Sequence, residues 1–372
     1  MNNEHKIADA ENAVRRIFDE LGGFSVDAQR NQTLGGIELD LTALATSVGT
    51  GFKLVIEVKA RITPQTAISV CERMRRLPPD LIPVVYAPVI SPRVAEIVTQ
   101  FGVSYVDQAG NCRLQSARHA LLIDRRGYKP TARPPKGVAD PFSPKSSRIV
   151  RALLTRPAEG WKVRELAEHP DVDVSVGLVS KVKQALLEEG YAVEHEKRLC
   201  LRDPIGLLEN WAKTYSGPAE QIPMYFRGNA EAAEQAVASW CGDNNIQYAL
   251  AGFSAAWRLA PEVRYSVGAV YVESSGFDRK MLDRLGTYQG GKRVDTGANL
   301  LLWRPFDRSA LAGSRTESGT DAPVTSAIQT FLDLKRMAGR GEEAAVAVYE
   351  RQLVRELRFA AKRIKELRHT EV

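Results

Sequence analysis

The sequence has little cysteine: four residues in 372, at Cys71, Cys112, Cys200 and Cys241. No two of them have the spacing of zinc ligands, and their scatter does not fit the disulfide framework of a small secreted domain. Reduced thiols in a cytoplasm are the expectation. Long apolar runs are also missing. None reaches the roughly 18 residues that a membrane span requires, so no membrane partner is expected. The opening MNNEHKIADAENAVRRIF mixes acids with bases and lacks the apolar centre of an export signal. What is present is a globular composition, 44% hydrophobic and 26% charged, on a chain long enough for two or three domains.

The most informative stretch is 175–201, SVGLVSKVKQALLEEGYAVEHEKRLCL. Ser175 is a good N-cap, and Leu178, Val179, Val182, Leu186 and Leu187 form one apolar helical face. That leaves Ser175, Ser180, Lys181, Lys183 and Gln184 on the other. Gly190 suits the left-handed residue that ends a helix. Residues 191–193 and 199–201 then pair across a tip bearing His195, Lys197 and Arg198. Residues 145–154 (KSSRIVRALL) and 161–168 (WKVRELAE) supply two preceding helices. Helices, cap, stop and hairpin follow the order of a winged helix-turn-helix, whose second helix reads base edges while flanking cations meet phosphate. The base readers expected on this pattern are Ser175, Ser180, Lys181 and Gln184. Lys183, Lys197 and Arg198 are expected at phosphates. The plain alternative is a helical hairpin whose polar face meets water.

The formal net charge is +6, and its distribution matters more than its size. Between positions 125 and 151 stand Arg125, Arg126, Lys129, Arg133, Lys136, Lys145, Arg148 and Arg151 against Asp140 alone. Such a cluster strengthens DNA binding through counterion release, with Lys145 and Arg148 nearest the helices; otherwise it is a solvated connector. Five prolines between 130 and 144 make this stretch extended. The domains expected are therefore 1–128, a basic linker over 129–144, a DNA-binding domain over 145–203, and a C-terminal domain over 204–372.

Ahead of the linker, an amphipathic helix over 7–22 precedes alternating strands at 35–45 (GGIELDLTALA) and 52–59 (FKLVIEVK). A helix over 64–76, a strand over 81–87, a helix opened by Ser91-Pro92 and a strand over 103–106 complete an α/β sandwich. Asp40 on one strand and Glu57-Val58-Lys59 on the next have the spacing of the PD-(D/E)xK nuclease core. There two carboxylates hold a divalent metal and the lysine orients the attacking water; Glu57 and Lys59 share a face because strand side chains repeat every two residues. Glu11 or Glu20, with Gln65, could complete such a site. The bland reading is a salt-bridged pair at a sheet edge. No cofactor is expected unless the nuclease reading holds, in which case Asp40 and Glu57 take Mg²⁺.

Residues 101–114, FGVSYVDQAGNCRL, carry a family resemblance through Gly102, Tyr105, Asp107, Ala109, Gly110 and Asn111. With Ile56-Glu-Val-Lys59, Tyr86-Ala-Pro, Phe331-Leu-Asp-Leu and Gly339-Arg-Gly-Glu-Glu-Ala-Ala345, the chain resembles AbiEi-like antitoxin regulators of type IV toxin–antitoxin systems. The resemblance implies a restriction-endonuclease-like N-terminal domain, a central winged helix-turn-helix, and repression of an operon that often encodes a nucleotidyltransferase toxin. Bottom-up, Asp107–Asn111 is a turn whose Asp and Asn bond local backbone.

The C-terminal region alternates again, as an α+β domain: helices over 207–215, 230–240 and 252–259, strands over 222–226, 247–251, 266–272 and 298–303, a loop over 311–321, and a last helix over 342–367. Gly252-Phe253-Ser254 opens a helix after a strand, as a phosphate-holding element does. Residues 267–272 (VGAVYV) lack the paired carboxylates of two-metal nucleotidyl transfer, so a packing turn is expected. The function expected is sequence-specific DNA binding by a transcriptional regulator, with double-stranded DNA, a second copy of the chain and a cognate toxin as candidate partners. The alternatives are a Mg²⁺-dependent endonuclease directed by the same helix, and an antitoxin acting by direct protein binding.

Overall fold

The computed structural model describes residues 3–34, 37–128, 139–277, 279–316 and 322–369. Most of the expected linker, up to residue 138, lies outside them, as does 317–321 of the expected loop. The chain is a mixed α/β protein that divides into two compact units, Met1–Gly137 with Glu188–Gly190, and Val138–Leu187 with Tyr191–Val372.

In the first unit α1 (Asn3–Leu21) leads into β1 (Ser25–Leu34), β2 (Ile37–Ser47) and β3 (Thr50–Val58). Then come α2 (Pro64–Met74), β4 (Ile82–Ala87), α3 (Pro92–Gln100), β5 (Ser104–Asp107), β6 (Cys112–Ser116) and β7 (Leu121–Arg125). The strands form one seven-stranded sheet in chain order. β3, β4 and β5 run parallel and the outer pairs antiparallel. Parallel neighbours need crossovers, which α2 and α3 provide on one face against Val55, Val85 and Ala87. Ile7, Val14, Ile17 and Phe18 of α1 cover the other face, over Leu54, Ile56, Tyr86 and Leu114. Local chemistry sets the helix starts: Thr63 forms a capping box with Thr66, and Ser91 Oγ accepts from Val94 N at 3.3 Å.

The second unit begins with α4 (Pro144–Thr155), α5 (Val163–Glu168) and α6 (Val176–Glu188), then a hairpin of β8 (Ala192–His195) and β9 (Arg198–Leu201). α6 ends as expected. Gly190 has φ 72°, and Tyr191 N donates to Leu186 O at 2.9 Å, a Schellman closure. Trp161 adds a bridge to Leu199 on the outer side of β9.

The chain continues through α7 (Pro204–Thr214), β10 (Glu220–Tyr225), α8 (Ala230–Asp243), β11 (Tyr248–Ala251), α9 (Gly252–Leu259) and β12 (Gly268–Val272). It closes with α10 (Arg279–Thr287), β13 (Lys292–Arg293), β14 (Leu300–Arg304), β15 (Arg315–Thr316), β16 (Pro323–Val324), α11 (Ala327–Leu334), α12 (Gly341–Val348) and α13 (Val354–His369). A second seven-stranded sheet has the order β13-β10-β14-β12-β11-β16-β15. The last helix is not uniform. A π-helical turn, Tyr349–Leu353, joins α12 to α13, and there Gln352 Nε2 reaches Leu259 O at 2.7 Å.

One large hydrophobic core runs from α4 to α13, with a smaller cluster around Tyr271 and Trp303 beside it. The large core joins Ile149, Leu153, Val179, Leu186 and Leu199 to Trp211, Val237, Val270, Leu332 and Leu357. Three polar links also tie α4 and the turn before α6 to the C-terminal half of the unit. Arg148 pairs with Asp307, Arg308 with Asp173 at 2.7 Å, and Arg151 Nη2 donates to Gln329 Oε1 at 2.7 Å.

Candidate nucleic-acid interface

Val179, Val182, Ala185 and Leu186 bury one side of α6. Ser175 caps it, its Oγ accepting from Leu178 N at 3.2 Å. Ser180, Lys181 and Gln184 are exposed and fall within about 100° of arc at 3.6 residues per turn. At the helix start Val176 is 48% exposed and Gly177 is exposed beside it. The sequence pattern missed these two: an apolar residue at the first turn reads as core until its direction is known.

The cations divide into two groups. Lys197 is exposed at the hairpin tip, where Glu196 (φ 48°) and Lys197 (φ 59°) are both left-handed, the geometry of a type I′ turn. Lys145 is exposed in the first turn of α4. Lys181 apart, the other cations expected at DNA already have protein partners. Lys183 Nζ lies 2.8 Å from Glu194, which fastens β8 to α6. Arg198 Nη1 donates to Gly160 O at 2.8 Å and to Glu165 at 3.2 Å. Arg148 makes a two-pronged bond to Asp307, with Nε–Oδ1 at 2.8 Å and Nη2–Oδ2 at 2.7 Å. Arg151 is 4% exposed. In the first unit Arg125 holds Glu20, and Arg126 holds Asp124 at 2.9 Å. Of the basic cluster counted in the sequence, Arg125, Arg126 and Arg148 are therefore held by acids of the protein itself.

Asp40 and Glu57 come from neighbouring antiparallel strands, one step beyond the Leu41–Ile56 pair, and Glu57 points toward α2. Glu57 is 4% exposed. Its Oε1 accepts from Lys59 Nζ at 2.6 Å and from Arg73 of α2. Asp40 Oδ2 accepts from Val58 N at 2.8 Å. Two cations therefore share one oxygen of Glu57. Among the described residues no three His, Cys, Asp or Glu side chains are placed to hold a metal. Glu11 bonds Arg15 and Arg30, and Glu20 bonds Arg125, so neither acid joins the pair.

Asp107 is 1% exposed and closes the turn drawn from the sequence. Its Oδ1 accepts from Gly110 N and Asn111 N, each at 2.9 Å, and Oδ2 from Asn111 Nδ2 at 2.8 Å. Gly110 sits at φ 103°, where a side chain would be strained. The Gly252-Phe253-Ser254 start of α9 is likewise a packing element. Ser254 is fully buried, and its Oγ accepts from Ala269 N at 2.8 Å.

With this geometry in place, one comparison bears on the character of the second unit. Residues 199–354 match the family model described as "Transcriptional regulator, AbiEi antitoxin, Type IV TA system". The match begins in β9 and ends at the start of α13. It takes in the Phe331-Leu-Asp-Leu and Gly339–Ala345 motifs but neither α6 nor the AGN turn at 109–111. The AbiEi-type resemblance thus rests on the C-terminal region, which is similar to antitoxin transcriptional regulators. No curated protein and no solved structure gave a significant match. No described helix is long and apolar enough to cross a membrane.

Proposed function

We propose that this protein is a DNA-binding transcriptional regulator of the antitoxin type, in which α4–α6 and the β8–β9 hairpin act as a winged helix-turn-helix. The observation that carries this reading is the capped α6, which leaves Ser180, Lys181 and Gln184 exposed together beside an exposed Lys197. Helix N-termini reach base edges in this docking mode, so Ser175, Lys181 and Gln184 are the readers. Val176 adds an apolar contact suited to a thymine methyl group. Lys145 and Lys197 meet phosphate. Lys183 and Arg198 hold the hairpin against α6 and α5, and they act by positioning the wing.

The test is a binding titration against the DNA upstream of the protein's own gene and against random duplex. Lys181→Ala and Gln184→Ala are each expected to reduce the preference for the specific site by about 1–3 kcal/mol. Lys197→Ala weakens all sequences alike and lowers the salt slope by about one. Specific binding that survives all three substitutions sinks the assignment.

Cleavage is the second reading, kept because Asp40, Glu57 and Lys59 lie together at the adjoining ends of β2 and β3. Occupation of Glu57 by Lys59 and Arg73 supports an ion cluster that holds β3 to α2 instead. Supercoiled plasmid incubated with Mg²⁺ or Mn²⁺ is expected to stay intact. Nicking that disappears in Glu57→Gln reverses this preference. Co-purification with the neighbouring gene product tests a direct antitoxin–toxin contact.

A further inference from the structure

A cavity of about 620 Å³ opens in the first unit between α3 and the chain that leaves β7. That volume lies well inside the range of small-molecule sites. Ile90, Pro92 and Ala95 give it an aliphatic wall at the start of α3. Tyr105 lines it from β5. This residue is 4% exposed and packs with Val94, Ile97 and Val98 of α3. Its hydroxyl has no hydrogen-bond partner among the described residues, and burial raises its pKa. Unlike the Tyr86 hydroxyl, which is enclosed without a partner, it keeps contact with the cavity. A buried phenol ordinarily has a partner, and leaving one unmet is costly.

The turn at 107–111 builds the facing side. Asp107 stands two residues from Tyr105 on the same face of the sheet. Its carboxylate holds Asn111 through the backbone N at 2.9 Å and Nδ2 at 2.8 Å. Asn111 in turn grips the main chain of Tyr128, Nδ2 donating to Tyr128 O and Oδ1 accepting from Tyr128 N, each at 3.0 Å. Tyr128 lines the cavity and is 51% exposed. An exposed ring on a pinned backbone loses little freedom when it meets a ligand.

The charged residues on the walls are already answered. Arg126 makes a two-pronged bond to Asp124, at 2.9 and 3.0 Å, and Glu96 lies 3.7 Å from Arg93. The Asp107 carboxylate takes three donors from the turn. The chemistry left over is a flat aromatic surface, an aliphatic wall, one inner hydroxyl, and the exposed Gln100 amide at the rim. It suits an uncharged ligand with a planar polar ring and a hydroxylated tail. We propose that the cavity binds a nucleoside-class molecule, with the base against Tyr128, its polar edge at Tyr105 Oη and the sugar toward Gln100. The site does not rest on the DNA-binding reading, which concerns α6 in the second unit.

The test is isothermal titration of the full chain with adenosine, guanosine, cytidine and uridine, with ribose as control and thermal melts in parallel. Saturable binding of at least one nucleoside and none of ribose is expected, with a rise in melting temperature. Tyr105→Phe removes only the unpartnered hydroxyl. It is expected to weaken that nucleoside about fivefold and to leave the ligand-free melting curve in place. Tyr128→Ala, at an exposed ring, is expected to weaken it about tenfold or more, and Tyr128→Phe to restore most of the affinity. Absence of saturable binding by all four nucleosides overturns the proposal. So does binding that Tyr105→Phe and Tyr128→Ala both leave unchanged, which would put the ligand elsewhere. Displacement of the nucleoside by a single-stranded oligonucleotide at far lower concentration overturns it too, by giving the cavity to a base of a nucleic-acid strand.

Discussion

Raising the pH from 5 to 8 is expected to lower the melting temperature of the second unit, and Asp333→Asn is expected to remove most of that slope. Asp333 lies on α11 and is 2% exposed. Its Oδ1 accepts from Tyr215 Oη and Tyr271 Oη, each at 2.9 Å, and from Gln329 Nε2 at 2.8 Å; Oδ2 has no partner among the described residues. Burial pushes the carboxyl from an ordinary 3.8 up to about 7, against the pull of those three donors and the Arg151 charge. The same burial holds Tyr215 and Tyr271 neutral, well above the usual phenol range. The sign comes from linkage. The folded protein keeps the Asp333 proton to a higher pH than the unfolded chain does. This favours folding fully below pH 4, and the advantage is lost as pH rises through about 7. A shift of that size corresponds to about 4 kcal/mol, or on the order of 10 °C for a unit of this length. Asn retains an oxygen for the three donors and does not titrate. Melts of the two proteins at four pH values provide the check. Parallel curves from pH 5 to 8 would mean that Asp333 does not hold its proton there.

How much of this was legible in the sequence depended on what each element packs against. α6 and its hairpin were readable because cap, apolar face, Gly190 and turn all lie within 27 consecutive residues, 175–201. The central strands were readable, β3 from its alternation and β4 from its apolar run. β1 was not. Among its described side chains SVDAQRNQTL has only Val26 and Ala28 packed toward α1, a pattern too sparse to separate from a polar loop. β6 and β7 are five residues each and too short for a periodic signal. The larger gap concerned charge. Arg148 and Arg151 look like surface cations when α4 is read alone. The structure buries α4 nearly all round, with Ser147, Ile149, Val150, Arg151 and Leu154 all inside. The residues that answer them, Asp307 and Gln329, lie more than 150 positions away. The Glu57-Val58-Lys59 pattern was visible, but Arg73, the second cation on Glu57, contributes from a helix whose pairing no spacing reveals.

Arg148 offers the cleanest separation between the surface role expected of it and the internal one it has. The pair with Asp307 has side chains only 12% and 8% exposed, and Arg148 Nη1 also reaches Val172 O at 3.4 Å. Asp307 in turn caps the short turn after it, accepting from Ser309 N at 3.0 Å. Burial alone would raise the Asp307 pKa, but Arg148 and the Ser309 donors outweigh it and leave the carboxyl below its ordinary value. Its stabilisation is therefore present above the ordinary carboxylate range and is lost only as pH falls through the lowered value. Removing one partner leaves a desolvated charge with nothing opposite it, so Arg148→Ala is expected to destabilise the second unit by about 3 kcal/mol. Arg148→Met with Asp307→Leu, which removes both charges and keeps the volume, is expected to recover most of that loss. A double-mutant cycle in denaturant measures the coupling, expected to exceed about 1 kcal/mol for a pair in contact. Lys145→Ala, one helical turn earlier and exposed, is the contrast. It is expected to leave stability within about 0.5 kcal/mol while reducing the salt dependence of DNA binding by about one ion. If Arg148→Ala instead behaves as Lys145→Ala does, the arginine serves DNA and the bond to Asp307 is incidental.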